Sequence, residues 1–411
     1  MQTHFSKAYL ATQDGERANA ILRSCVHCGL CNATCPTYQV LGDELDGPRG
    51  RIYLMKGLLE EADGGASGEA LSVAQTHLDR CLTCRACETA CPSGVAYGEL
   101  LEIGRAAVER RARRRLLDRL MRLWLGLVVP SVRWFPRWAA LGRWFRWALP
   151  KVLAAVLPER NQEAEGPLPV SQPIGERVLL LQGCVQRQAT PATQAAAIRY
   201  FNDRGLQAVV AEGEGCCGGL NLHLGQTRQA LDAMRRNLDA LQPHLDGVQW
   251  IVSTASGCGV TVKDYGRLLA DDPKYAALAA TMAAKSRDLA EVAQALPAPK
   301  EDAPPSRPGR KVAWHPPCTL QHGQRLTGIV ERLLAEAGHE LVPVKDPHLC
   351  CGSAGTYSVL QPELSGRLRQ DKLTNLTAGN PDVIATANVG CQMHLASPAC
   401  PVVHWIELLA S

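Results

Sequence analysis

Apolar positions recur at helical spacing in the N-terminal part of the chain, whereas the C-terminal part alternates short apolar runs with helical stretches. Ala18 to Arg23 predicts a short helix leading to Cys25, and Gly42 to Arg51 is a turn-rich loop. Ile52, Leu54, Met55, Leu58 and Leu59 then predict a helix over Ile52 to Glu61, and another covers Leu71 to Leu82. The next segment has a different character. Leu116, Leu117, Leu120, Leu123, Trp124 and Leu127 form one apolar helix face, with Arg113, Arg114, Arg115, Arg119 and Arg122 around it. Beyond it Trp134, Phe135, Trp138, Trp144, Phe145 and Trp147 alternate with Arg133, Arg137, Arg143 and Arg146.

A proline-containing linker over residues 158–173 precedes an alternating pattern of strands and helices. Predicted strands cover Val178 to Leu181, Ala208 to Ala211 and Val248 to Ser253, with helices over Gln194 to Phe201 and Gln226 to Leu241 between them. After a second linker, Pro297 to Pro308, strands are predicted over Lys311 to Trp314, Leu341 to Val344 and Asp382 to Thr386, with a largely helical Gly323 to Gly338. Each predicted strand runs toward cysteine: Cys184, Cys216-Cys217 and Cys258 in the first half, Cys318, Cys350-Cys351 and Cys391 in the second. Cys184, Cys216 and Cys217 map onto Cys318, Cys350 and Cys351 at an offset of 134, and Cys258 onto Cys391 at 133, so an internal duplication is the economical explanation. Parallel strands of an α/β unit end side by side, which gathers each set of four thiols at one sheet edge.

A second kind of cysteine pattern lies in the helical part. Cys25, Cys28, Cys31 and Cys35 form C-x2-C-x2-C-x3-C closed by Pro36, and Cys81, Cys84, Cys87 and Cys91 repeat it, closed by Pro92, 56 positions later. This is the ligand run of a protein with two [4Fe–4S] clusters. A short loop wraps three thiolates around one face of a cubane, and the fourth reaches across to the other. The expected sets are Cys25, Cys28, Cys31 and Cys91 for one cluster, and Cys81, Cys84, Cys87 and Cys35 for the other. Zinc needs no third cysteine at the same step, and disulfides want an oxidising compartment, for which residues 1–20 show no signal peptide. Arg49 and Arg51 suit either offsetting of cluster charge or a structural salt bridge.

Composition adds an asymmetry. The chain has 411 residues, 17 cysteines and a net charge of +4, yet residues 110–151 alone carry +11, leaving −7 for the rest. A basic stretch in an otherwise acidic protein points to one negatively charged surface rather than to nucleic acid. Its longest uncharged run, Leu123 to Val132, contains Pro130 and is too short to span a bilayer. Arg and Trp on an amphipathic helix suit the headgroup layer of a membrane, or docking on a partner subunit. The expected organisation is therefore a helical ferredoxin domain (1–105), a basic Trp/Arg-rich segment and linker (106–165), and two α/β halves (166–300 and 301–411).

The role of the second cysteine set is more open. A vicinal pair flanked by two more thiols suits an iron–sulfur cluster with distorted or shared ligation, a redox-active thiol pair, or a core filled by cysteine. The glycine after each pair permits close approach to a bound group and speaks against mere filling. Cys400 has no aligned counterpart and is expected to be structural. Of His315, His348 and His394 nearby, His394 attracts most attention, three residues past Cys391.

The two cysteine runs, Pro48-Arg49-Gly50-Arg51-Ile52-Tyr53-Leu54-Met55, Gly352-Ser353-Ala354-Gly355-Thr356-Tyr357, Ala387-Asn388-Val389-Gly390-Cys391 and both CCG halves resemble the iron–sulfur subunits of bacterial glycolate oxidase (glycolate dehydrogenase). These belong to a wider CCG group that includes subunits acting with lactate, glycerol-3-phosphate and heterodisulfides. The resemblance implies a multidomain fold: an N-terminal α-helical two-cluster ferredoxin, then a duplicated α/β cysteine-rich (CCG) domain. It also implies an electron-transfer subunit of a CH–OH oxidoreductase with a non-NAD acceptor. FAD-bearing partner subunits would oxidise glycolate to glyoxylate, and electrons would pass toward quinone at the cytoplasmic side of the inner membrane. No catalytic residue is expected here, since no dinucleotide fingerprint or acid/base constellation stands out. The fullest CCG motif ends in C-x-x-C, whereas this chain has Thr261 and His394 at the last positions. Disulfide reduction at the CCG domain and a scaffold with structural metal are the competing functions.

Overall fold

The computed structural model describes residues 1–61, 68–148, 157, 175–297 and 309–410. The two linkers expected at 158–173 and Pro297 to Pro308 fall almost wholly outside the described residues. Among described residues up to 148 there are only helices. Helices Gln13–Ser24, Pro48–Glu60, Gly68–Asp79 and Tyr97–Arg111 pack through fully buried Leu22, Met55, Leu59, Leu78, Leu100 and Leu101. The same core receives Cys25, Cys81 and Cys87, so the helices hold the cysteine loops at its edge. The Pro48–Glu60 helix starts four residues before the predicted Ile52. Proline fits the first helical turn, where its missing N–H is no loss.

Two more helices follow, Leu116–Val128 and Trp134–Trp144. The first lies against the CCG region through Arg122, Leu125 and Gly126, while most of its leucines and Arg115 and Arg119 stay exposed. Arg114 is paired with Asp79 at 2.6 Å and Glu109 at 2.9 Å. Buried Arg122 donates to the Leu224 carbonyl at 2.8 Å, while Asn221 donates to the Gly126 carbonyl at 3.1 Å. Gly126 is where the helix meets Gln226 so closely that any side chain would collide. Leu116, Leu117, Leu120, Leu123 and Leu127 are left exposed, as are Trp134, Trp138, Trp144 and Trp147. Trp124 and Trp138 meet edge to face at 6.0 Å and tie the two helices together.

Among the described residues, eight strands form two four-stranded sheets. β1 (Arg177–Leu181), β2 (Gln207–Val209), β3 (Trp250–Ser253) and β4 (Ser286–Asp288) are ordered β2-β1-β3-β4. β5 (Lys311–His315), β6 (Glu340–Leu341), β7 (Val383–Thr386) and β8 (Val402–His404) repeat that order as β6-β5-β7-β8. Every pairing is parallel, with Val178 opposite both Ala208 and Trp250, and Val312 opposite both Leu341 and Val383. The expected duplication is thus a duplication of topology. Successive side chains alternate between faces. Val178 and Leu180 enter one core together with Val312, Trp314, Val383, Ala385 and Trp405 of the other half. Leu179 and Leu181 turn to the opposite face, among Cys184, Cys216, Cys217 and Tyr265.

Several predicted elements are shorter than expected, among them the Val248 to Ser253 strand, which begins only at Trp250. The strand at Leu341 to Val344 is only the two-residue β6, and the chain then loops to Cys350. Ala208 to Ala211 gives way to β2, which ends at Val209. In the predicted Gly323 to Gly338 helix, regular helix begins only at Ile329, after a π-turn over Thr319–Gly323 and left-handed Gly328. Edge strands β4 and β8 are additions to the predicted set; Ser286-Arg287-Asp288 has no apolar run to announce it.

Candidate iron–sulfur centres

The two cysteine loops face each other across the helical module. One cavity is lined by Cys25, Cys28, Cys31 and Cys91, with Pro92 and Tyr97. The neighbouring cavity is lined by Cys35, Cys81 and Cys84, with Arg51 and Tyr97. Cys87 borders both, so the cavities adjoin. The fourth cysteine of each loop is therefore placed with the first three of the other. Left-handed residues make the tight loops: His27 and Gly29 in the first, Thr83 and Arg85 in the second. His27 thus shapes its loop.

The thiols themselves describe a site short of positive charge. Burial pushes Cys31 up to about 11, and Cys25, Cys91 and Cys28 add to the rise. Burial also lifts Cys84 and Cys87 well above the ordinary thiol value, helped by Cys318 and Cys35 for the former and Cys84 and Cys81 for the latter. Cys81 differs. Burial raises it, but Arg51 and Arg105 outweigh that and leave it below the usual value. A site where each thiolate makes its neighbours harder to ionise fits a group that brings its own cations, as iron does.

The second cavity is the more cationic. Arg51, 1% exposed, donates to the His77 carbonyl at 2.7 Å and to Thr37 Oγ1 at 3.1 Å, and its Nη1 lies 3.7 Å from Cys35 Sγ. It also pairs at 3.3 Å with Asp46, which is fully buried and held at 2.9 Å by Arg80. Arg51 thus makes the structural salt bridge considered for it and also places its charge beside the Cys35 thiol. Arg49 instead pairs with Glu44 at 2.6 Å near the surface. Arg105 donates to the Cys81 carbonyl at 2.6 Å and to Thr83 at 2.7 Å. Sequence reasoning passes over Arg105, although a lone arginine between Gly104 and Ala106-Ala107-Val108 is a signal.

In each CCG half the four thiols form a string in the same order. Cys216 contacts Cys184 and Cys217, and Cys217 contacts Cys258. In the second half Cys318 Sγ lies 3.9 Å from Cys350 Sγ, Cys350 contacts Cys351, and Cys351 Sγ lies 3.5 Å from Cys391 Sγ. The CCG glycines are left-handed, and a side chain at Gly218 or Gly352 would press on the Ala230 or Ser365 carbonyl. The second string touches the ferredoxin module: Leu82 and Cys84 pack with Cys318, Cys350 and Tyr357, and Tyr357 donates to the Arg80 carbonyl at 3.1 Å. Cys400 stands apart, buried against Cys351 and Cys391 in the small core of the second half, its thiol toward the Pro381 carbonyl at 3.7 Å.

Comparison with known proteins agrees with this division. A family model described as a 4Fe-4S dicluster domain matches residues 21–95, and one described as a cysteine-rich domain (CCG) matches 178–263 and 312–396. The glycolate oxidase iron-sulfur subunit of Escherichia coli K12 is 45% identical over 411 residues, covering 100% of this chain and 98% of that protein. The chain belongs to the family of glycolate oxidase iron–sulfur subunits. A probable glycolate oxidase iron-sulfur subunit of Bacillus subtilis is 31% identical over 91% of this chain and 88% of its own length. A fumarate reductase (CoM/CoB) subunit of Methanothermobacter marburgensis is 25% identical over 91% of this chain and 67% of its own. Membership of the glycolate oxidase iron–sulfur family makes this an iron–sulfur oxidoreductase subunit with a dicluster ferredoxin part and two CCG parts. As a family member it is one subunit of a larger complex.

Proposed function

We propose that this chain carries electrons away from flavin-bearing subunits that oxidise glycolate to glyoxylate, and delivers them toward membrane quinone. The observation that carries the reading is the adjacency of its three thiol sites: two cavities that share Cys87, and the Cys318–Cys350 pair packed against Cys84. Bound [4Fe–4S] clusters supply one-electron chemistry at such sites. Cys25, Cys28, Cys31 and Cys91 would hold one, and Cys81, Cys84, Cys87 and Cys35 the other. The residues of the chain do the rest: Tyr97 donates to Cys81 Sγ at 3.6 Å, and Pro48 and Ile52 line the first cavity with apolar surface. Cys184, Cys216, Cys217 and Cys258, with Cys318, Cys350, Cys351 and Cys391, would bind further cofactor in the CCG halves. Hydroxy-acid chemistry belongs on the flavoprotein partner, with its FAD. Protein purified without oxygen should hold about eight irons with matching sulfide from the dicluster part. Zinc without sulfide would overturn the reading.

The exposed leucines of Leu116–Val128, together with Trp134, Trp138, Trp144 and Trp147, support docking on the cytoplasmic surface of the inner membrane. No described helix is long and apolar enough to cross it. A Leu117→Glu, Leu120→Glu, Leu127→Glu variant alters only exposed positions, so the fold is retained. Each leucine is worth roughly 1.5–3 kcal/mol when buried, so the triple change should abolish flotation with anionic vesicles. Undiminished flotation would remove the membrane from the proposal.

A further inference from the structure

The two CCG halves share a thiol string but not a histidine. His315 closes β5, beside Cys351 and Cys391, and the ligand atoms of these three residues lie within 4.8 Å of one another. At the position aligned with His315, 134 residues earlier, the first half has Leu181. His315 is 0% exposed, and neither ring nitrogen has a hydrogen-bond partner.

That is exceptional among the described histidines. His404 is as buried, yet its Nε2 is 2.8 Å from the Thr254 carbonyl and its Nδ1 accepts from the Ile406 N–H at 3.2 Å. Nδ1 of buried His339 accepts from the Arg310 N–H at 3.3 Å, and its Nε2 lies 3.3 Å from the Leu408 carbonyl. His394, the expected candidate, is also accounted for, since its Nε2 meets Ser365 Oγ at 3.3 Å. A buried imidazole with two idle nitrogens among thiols lacks a partner that the surrounding protein does not supply.

We propose that His315, Cys351 and Cys391 ligate a single thiophilic divalent ion, zinc or ferrous iron, in the second CCG half only. This rests on the reading of the CCG cysteines as a cofactor site and names its ligands in one half. The spacing fits. Two thiolates bound at ~2.3 Å with a tetrahedral angle stand about 3.8 Å apart, and Cys351 Sγ and Cys391 Sγ are at 3.5 Å. Thiolates on different irons of a cubane stand much further apart. One imidazole and two thiolates balance a divalent charge, and three protein ligands leave a fourth position open, as in catalytic rather than structural sites. Lys372, 2% exposed, is held away by donating to the Asp346 carbonyl at 2.8 Å and is not among the three ligands.

The test is elemental analysis and X-ray absorption on the full chain, purified without oxygen, as wild type, His315→Ala and His315→Cys. The wild type should hold one ion in excess of whatever iron and sulfide stand in cluster ratio: zinc, with one nitrogen and two sulfurs at its absorption edge, or one iron without a matching sulfide. In His315→Ala its affinity should fall more than about 100-fold, beyond the effect of losing an outer-shell partner, while the cubane resonance signals persist and report a folded chain. His315→Cys should restore the ion with sulfur in place of nitrogen. If His315→Ala keeps the full complement of the extra ion, the histidine assignment fails and the cofactor reading of the CCG cysteines survives. If the wild type carries iron and sulfide at about eight and nothing more, both fail together. Extra iron and sulfide in cluster ratio with no such ion beside them, in the wild type and in His315→Ala alike, would retain the CCG cofactor and overturn the single ion.

Discussion

Replacing Cys91 with serine should extinguish the cluster built on Cys25, Cys28 and Cys31, and spare the one built on the loop that contains residue 91. The reason is placement. Cys91 lines the cavity of the first loop, and Cys31 feels its charge beside those of Cys25 and Cys28. Cys35→Ser should do the converse and remove the site formed by Cys81, Cys84 and Cys87. Each variant should lose about four of about eight irons. The reduced-state magnetic resonance spectrum tells the two apart, because only the second site sits beside Arg51 and Arg105. Loss of the same-loop signal in either variant would show that each loop closes on its own cluster.

Arg51→Met should be the most damaging single change outside the cysteines. The guanidinium is buried against fully buried Asp46, and breaking a buried pair costs roughly 3–5 kcal/mol. Arg80 and His77 still hold Asp46 at 2.9 and 3.0 Å, so the lower end of that range is expected. The second effect is electrical. A unit charge roughly 6 Å from a cluster at an effective dielectric of about 20 contributes about 100 mV. Its removal should lower the reduction potential of the Cys35-side cluster by that order and leave the other nearly unmoved. Arg51→Lys should keep most of the potential while losing the fork of hydrogen bonds to Thr37 and His77. A redox titration that moves both potentials equally, or neither, would refute the charge argument.

The sequence is most legible where a feature is local. Cysteine spacing is set by one short loop, so the ligand runs can be read without the fold, whereas the crossed sets depend on how the two loops face each other. The repeat of CCG halves is equally plain, because a fixed offset survives any uncertainty about strand ends. The shortness of β6 and the existence of polar β4 are not legible, since both are held by neighbouring strands rather than by their own residues. The Leu116–Val128 helix shows a different limit. Its periodicity reveals an apolar face and a basic fringe but not that Arg122 turns inward with Leu125 while Leu116, Leu117, Leu120 and Leu127 turn out. That is decided by Asp79, Glu109 and the Leu224 carbonyl, which meet Arg122 only in the folded chain. His315 fails to stand out for a similar reason. Three histidines near the second thiol string look alike until burial and hydrogen bonding separate them, although Leu181 at the aligned position is a visible hint.

The core built jointly by Val178 and Leu180 with Val312, Trp314 and Trp405 has a bearing on ancestry. A protein with one such half would have left that sheet face bare to water, and the remedy open to it is a second copy of itself related by a two-fold axis. Joining two genes end to end would then have turned a dimer that dissociates on dilution into one that cannot, and freed each copy to change alone. The histidine that one half has and the other lacks is what such freedom leaves behind.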